Sequence, residues 1–113
     1  YLVAVDNSDK IIGYIAGGKP RSAALSDKID MEIGILYCAP EWLKNGGKGA
    51  GKALFTNLMQ EFVKFSAKTC GVGCLSDNKN ALGFYQYMGG EIINEVPWWK
   101  FPELKETFLR FNL

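Results

Sequence analysis

Apolar and polar positions first alternate along this chain, then recur at helical spacing, then alternate again. Residues 1–5 set Tyr1, Val3 and Val5 against Leu2 and Ala4, a β-rich alternation that predicts a strand. The cluster Asp6-Asn7-Ser8-Asp9 is turn chemistry. Ile11, Ile12, Tyr14 and Ile15 continue as a second strand to Gly17, so the local expectation is a hairpin. Residues 17–26 read as a polar, flexible link. The clearest strand covers 29–38, with Ile29, Met31, Ile33, Ile35 and Tyr37 on one face and Asp30, Glu32, Gly34, Leu36 and Cys38 on the other. Pro40 ends it. From Ala50 the period changes to spacings of four and three: Ala50, Leu54, Leu58, Phe62 and Phe65 form an apolar stripe widened by Phe55 and Met59. Asn57, Gln60, Glu61 and Lys64 take the other side, and the helix is expected to run to about Lys68.

After that helix, residues 70–75 are short, apolar and glycine-spaced, as a buried strand would be. Ser76, Asp77 and Asn78 offer N-caps to a second helix whose stripe is Ala81, Phe84, Tyr85 and Met88 and whose stop is Gly89-Gly90. Residues 91–96 form a strand, Pro97-Trp98-Trp99-Lys100-Phe101-Pro102 an aromatic loop, and 107–113 a final strand. The order is β-β-β-α-β-α-β-β. A strand, helix and strand in mid-chain imply a right-handed crossover and a parallel pair, and the hairpins imply antiparallel flanks. The expected class is therefore α/β, a mixed sheet of the α+β kind with helices packed on it, as one domain over 1–113.

The two periodic regimes meet at a glycine-rich loop. Four glycines, Gly46, Gly47, Gly49 and Gly51, fall within six residues and lead directly into the long helix. A glycine loop feeding a helix N-terminus points backbone N–H groups and a partial positive charge at one spot, which suits a phosphate. Lys44, Lys48 and Lys52 add full charges around it. Gly46 to Lys52 has the spacing of a nucleotide P-loop, but Ala53 stands where Ser or Thr should hold magnesium. A dinucleotide fingerprint fails at its third glycine, where Leu54 stands.

Composition narrows the rest. The chain has 113 residues, 48% hydrophobic and 22% charged, with net charge +1, the profile of an ordinary globular domain with no bulk field for nucleic acid or membrane. No apolar run approaches the ~20 residues a membrane span needs. Three cysteines, Cys38, Cys70 and Cys74, lack metal-ligand spacing, and with no histidine a zinc site, a metal cofactor and a disulfide scaffold are not expected. A reducing, cytoplasmic setting follows as the expectation. Without histidine, acid–base work falls to Glu, Asp, Tyr or Cys. The chain begins with Tyr1 already in a strand pattern, so further elements upstream are expected.

The residues Glu32-Ile33-Gly34-Ile35-Leu36-Tyr37, then Ala39-Pro40-Glu41, then Gly47-Lys48-Gly49-Ala50-Gly51-Lys52-Ala53-Leu54 resemble the acetyl-CoA-binding core of the GNAT superfamily of N-acetyltransferases. Asn78-Lys79-Asn80-Ala81-Leu82-Gly83-Phe84-Tyr85, followed by Met88-Gly89, resembles that family's second signature, N-x-x-A-x-x-F-Y with a glycine after the helix. The resemblance implies acetyl-CoA as co-substrate, with its pyrophosphate held by the amides of Gly46, Gly47, Lys48, Gly49, Ala50, Gly51 and Lys52. It also implies a pantetheine arm paired with the backbone of Leu36, Tyr37 and Cys38, and a thioester in a gap between residues 35–38 and 72–75. Asn78 and Ala81 would lie along the pantetheine, and Tyr85 would protonate the departing thiolate. The sequence departs from the family at Gly46, where Gln or Arg usually braces the loop, at Gly90, where Phe is common, and in a loop after Pro40 about three residues longer than usual.

Acetyl transfer to an amine needs no metal, but it needs the amine as free base. An amine of pKa ~10.4 is only ~0.04% neutral at pH 7, a handicap of roughly 4.6 kcal/mol that a carboxylate can relieve. Glu32 is the leading candidate base, beside the proposed thioester, with Glu41, Asp30 and Asp77 behind it. A solvated strand carboxylate is the competing account of Glu32, and a core tyrosine that of Tyr85. Cys38 and Cys74 read as buried small hydrophobes rather than acyl carriers. Trp98, Trp99 and Phe101 suit an acceptor pocket, a dimer contact or plain packing. The expected partner is an amine-bearing small molecule or peptide, with a homodimer through an edge strand left open. The alternative reading is an acyl-CoA-binding module without catalysis.

Overall fold

The chain, as a computed structural model, is described over residues 2–5, 10–25, 27–39 and 49–113, and for 3–5 as backbone only. The elements are β1 (Leu2–Val5), β2 (Ile11–Gly18), β3 (Met31–Cys38), α1 (Ala50–Lys64), β4 (Thr69–Leu75), α2 (Lys79–Tyr87), β5 (Glu91–Pro97) and β6 (Lys105–Asn112). The predicted order holds throughout. They build a six-stranded sheet in the order β1-β2-β3-β4-β6-β5. Only β3 and β4 pair in parallel, joined by the α1 crossover; the other pairs are antiparallel. The last strand inserts between β4 and β5, so β5 forms one edge of the sheet.

One face of the sheet carries α1 and α2. Leu54, Phe55, Leu58 and Phe62 of α1 bury against Ile12, Ile15 and Ile33, each worth about 1.5–3 kcal/mol when removed from water. Phe84 and Tyr85 of α2 complete that core with Leu109 and Phe111 of β6. The other face has a smaller core of Leu25, Ile29 and Phe108. Leu25, inside the stretch expected to be a polar link, is 0% exposed, held by turns in which the Leu25 N–H donates to Ser22 O and that of Ile29 donates to Leu25 O.

The long helix ends earlier than its stripe implies. The N–H of Ala67 donates to Phe62 O and that of Ser66 to Val63 O, a Schellman closure with Ser66 at φ 64° in the left-handed region. A glycine normally marks that position, and none stands here. Phe65, expected on the buried stripe, is consequently 74% exposed. The second helix closes the same way, but with Gly89 at φ 101° in the left-handed position. There Gly90 N–H donates to Tyr85 O and Gly89 N–H to Gln86 O.

Candidate functional site

The site begins with a break in strand pairing. β3 and β4 pair from Met31↔Cys70 to Ile33↔Val72 and no further, although both strands continue to Cys38 and Leu75. The cause lies on the other side of β3. Its register with β2 jumps from Gly17↔Ile33 to Ala16↔Ile35, leaving Gly34 as an extra residue. Such a bulge bends the bulged strand and increases its twist, so β3 swings away from β4 from Gly34 onward. The gap expected between residues 35–38 and 72–75 is present, and the β4-side backbone of residues 34–38 faces it without a strand partner.

The bulge also corrects the expected face assignment. Alternation would keep Ile33, Ile35 and Tyr37 together. Instead, Ile33 and Cys38 share the helix-side core, while Ile35 and Tyr37 are half-exposed on the opposite face. Tyr37 stacks there on its cross-strand partner Tyr14, with ring centroids 5.5 Å apart. Among the residues expected to hold an arm in the gap, Cys38 is therefore buried, Leu36 is partly buried and Tyr37 points away from the helices.

At the head of the gap stands the N-terminus of α1. Gly49 is the N-cap, with no side chain hydrogen-bonded across it and no acidic residue in the first turn. A helix start leaves its first N–H groups without intrahelical partners, and an anion satisfies them well. A Cβ on Gly49 would meet nothing within 4 Å among the described residues, whereas one on Gly51 would sit 3.5 Å from Cys38 Sγ and 3.6 Å from the Phe84 ring. Gly51 thus faces the core and seats the helix start against β3 and α2; Gly49 faces outward. Ala50 is buried and Lys52 is exposed, its Nζ 5.8 Å from the centroid of the Tyr87 ring on α2. Gly46, Gly47, Lys48, Lys44 and Glu41 lie outside the described residues.

Tyr85 reaches the gap from α2. Phe84 at 5.6 Å and Phe111 at 6.3 Å flank its ring edge-on, and Phe55 packs against both of those rings. Burial pushes its phenol pKa up, followed by Cys74, Cys70 and Cys38, whose thiols surround it. Cys38 and Cys74 flank the gap near the ends of β3 and β4, so the phenol lies behind it on the helix side. Asn78 caps α2, its side-chain oxygen accepting the Ala81 N–H at 3.2 Å. That contact occupies its carbonyl and leaves its NH2 as donor. The three thiols are held above the ordinary value by burial, Cys70 up to about 12, which keeps them protonated and poor nucleophiles.

The opposite face carries the carboxylates. Glu32 is 9% exposed and already engaged: its Oε1 accepts the N–H groups of Arg21 and Ser22 at 2.7 and 2.9 Å, and its Oε2 accepts the Ser22 hydroxyl at 2.6 Å. Three donors fill most of the roughly four lone-pair sites of a carboxylate. A cleft of about 470 Å³ opens beside it, walled by residues 16–21, Glu32, Gly34 and Ile35. Asp30 is structural. Its Oδ2 accepts the N–H of Lys68 at 2.8 Å, which ties the starts of β3 and β4. Asp77 sits exposed in the turn before α2. A carboxylate not foreseen is Glu106, on β6, where burial and then the charge of Glu32 raise its pKa. The sequence pattern starts the last strand at Thr107, one residue too late to place it. Trp99 is 82% exposed at the tip of the loop between β5 and β6, with Trp98 packed on Phe101 at 5.6 Å.

Known proteins share this architecture. The family model described as "Acetyltransferase (GNAT) family" matches residues 1–89. No curated protein sequence matches. Arabidopsis thaliana NAA60, solved with a bisubstrate analogue, superposes at TM-score 0.76 and 15% identity over 97% of this chain and 72% of that one. Chaetomium thermophilum Naa20, also with a bisubstrate analogue, gives TM-score 0.76 and 22% identity over 98% and 64% of the two chains. A proposed streptothricin acetyltransferase from Bacillus anthracis, solved with acetyl coenzyme A, gives TM-score 0.81 and 16% identity over 98% of this chain and 60% of that one. The chain thus spans less than two thirds of the length of the last two, and at these identities the likeness speaks for the fold.

Proposed function

The chain belongs to the GNAT family of acetyltransferases, and on that premise we propose that it transfers the acetyl group of acetyl-CoA directly to an amine of a small molecule or peptide. The observation that carries the reading is the conjunction at one gap: parallel strands that part after Ile33 and Val72, an uncapped helix start at their head, and a tyrosine behind them. The uncapped amides from Gly49 onward would take the CoA pyrophosphate, with Lys52 beside them. The arm would run into the gap along the unpaired backbone of residues 34–38, past the NH2 of Asn78.

In this reading Tyr85 faces the thioester sulfur. Burial keeps its O–H intact across the neutral range, so it is always a donor to the developing thiolate. The acceptor enters through the cleft beside Glu32, on the other face of the sheet. Glu32 anchors the link at Arg21 and Ser22 that forms the cleft wall, and it keeps about one acceptor site open to a proton, directly or through water. Bisubstrate analogues bound in the Arabidopsis and Chaetomium structures accord with an amine acceptor approaching the cofactor directly.

Thiol release from acetyl-CoA, measured against a panel of primary amines and N-terminal peptides alongside thermal shift with CoA, tests the proposal. Stabilisation by CoA with release for at least one amine is expected. Stabilisation with no release across the panel would leave a CoA-binding module, and no stabilisation would remove the cofactor assignment altogether.

A further inference from the structure

Tyr85 accounts for the leaving group, but the acceptor ammonium still needs a group to take its proton, and Glu32 has most of its acceptor sites filled by its own chain. We propose that Glu106 is the carboxylate that deprotonates the acceptor amine, an assignment that rests on the acetyl-transfer reading above.

On β4, Gly73 is the first residue beyond the last β3–β4 pair, Ile33↔Val72, so the gap opens beside it. Gly73 lacks the side chain that would separate the gap from β6, and a Cβ there would sit 2.8 Å from Glu106 Oε2 and 2.6 Å from the Phe108 ring. Glu106 therefore leans back over Gly73 to the point where the strands part. It does so from the face that carries Glu32 and the acceptor cleft; Tyr85 lies near Cys74, on the neighbouring rung, at the helix face. The gap is flanked by a proton donor on the cofactor side and a carboxylate on the acceptor side. No hydrogen-bond donor holds Glu106 Oε1 or Oε2 among the described residues, in contrast to Glu32.

Its surroundings favour a base. The residues paired with it are Leu75 on β4 and Val96 on β5, both apolar. Charge reaches it from Glu32 on β3, and the Cys74 thiol lies nearby on β4. Arg110 shares its face on β6 beyond Phe108, and the Lys105–Glu95 pair belongs to neighbouring rungs. Loss of water and the Glu32 charge both raise its proton affinity, moving it toward the range where a carboxylate is an effective proton acceptor. In the proposed step R–NH3+ gives one proton to Glu106; the nitrogen attacks the thioester carbon, the C–N bond forms and the C–S bond breaks. The second ammonium proton reaches the thiolate through Tyr85 and gives CoA–SH, and Glu106 returns its proton to solvent.

The test is the pH dependence of kcat/KM for wild type, Glu106→Gln and Glu32→Gln, with CoA thermal shift on each. Glu106→Gln is expected to keep the CoA shift and lose about 10²–10⁴-fold at pH 7, the deficit shrinking as pH approaches the amine pKa. Glu32→Gln is expected to raise KM with the shape of the profile kept. If Glu106→Gln fails to fold, Glu106→Asp replaces it, with a lower kcat and an unchanged KM for CoA expected. A Glu106→Gln profile that overlays wild type, or a Glu106→Asp kcat equal to wild type, overturns the assignment while acetyl transfer stands. Wild type that releases no thiol with any amine removes acetyl transfer, and this role with it.

Discussion

Tyr85 shows how far one side chain can be judged from its neighbours. Its ring is packed as tightly as any core aromatic, against Phe84 and Phe111, so a purely structural role predicts that the hydroxyl is dispensable. The catalytic role predicts the reverse. Tyr85→Phe keeps every ring contact and is expected to lose no more than about 1.5 kcal/mol of stability, to retain CoA stabilisation, and to lose about 10²–10⁴-fold in turnover. Unchanged turnover in a thiol-release assay would return Tyr85 to the core. Ser66 makes the complementary point for stability. It holds the left-handed C′ position of α1 at φ 64°, a conformation costly for any residue with a Cβ. Ser66→Gly is expected to stabilise the chain by about 0.5–1 kcal/mol and raise Tm by several degrees; calorimetry showing a lower Tm would contradict that account.

At the scale of elements, the sequence is most readable where local chemistry and tertiary role coincide. The second helix begins at Asn78 and stops at Gly89-Gly90 as its residues predict, because cap and terminator are both local. The first helix stops short of its apolar stripe because its terminator is a serine, and nothing in Ser66-Ala67 marks a reversal. The bulge at Gly34 is invisible in the sequence for a different reason. It arises from the pairing of β3 with β2, and a glycine inside an alternating strand says only that a side chain is missing. Yet that bulge opens the gap, so the motif points to the proposed site while the gap's geometry comes from tertiary pairing. Leu25 and Glu106 escape the pattern because one sits inside a polar link and the other just outside a recognised strand, where burial depends on what folds over them. The start of α1 offers a test of the proposed phosphate grip. Asp is a preferred N-cap and its charge suits the dipole, so Gly49→Asp is expected to raise the apo Tm by about 1–3 °C. The same carboxylate would occupy the amides and repel the pyrophosphate, so CoA-induced stabilisation is expected to vanish. A retained CoA shift in that variant would mean that the helix start does not hold the cofactor.

Across the whole molecule, the groups gathered behind the gap couple its chemistry to its stability. Cys38, Cys70, Cys74 and Tyr85 all have pKa values raised chiefly by burial, Cys70 to about 12. In each, the folded state holds its proton more tightly than the unfolded chain does. Below the unfolded values, about 8.5 for a thiol and about 10 for a phenol, both states are protonated and the stabilisation is complete. As pH rises beyond them the unfolded chain ionises first, and the contribution is lost progressively toward the folded-state values. The melting temperature, followed by circular dichroism with a reductant present, is therefore expected to fall steadily above about pH 8.5. Cys70→Ala should start lower at neutral pH, from lost packing, but decline less steeply, since the thiol pushed up to about 12 is gone. Parallel slopes for the two proteins would show that the alkaline loss arises elsewhere. The water exclusion that keeps the Tyr85 hydroxyl protonated, as the proposed role toward a departing thiolate requires, is the same exclusion that makes the fold sensitive to alkali. A variant that hydrates the gap should accordingly flatten the alkaline decline and weaken turnover together.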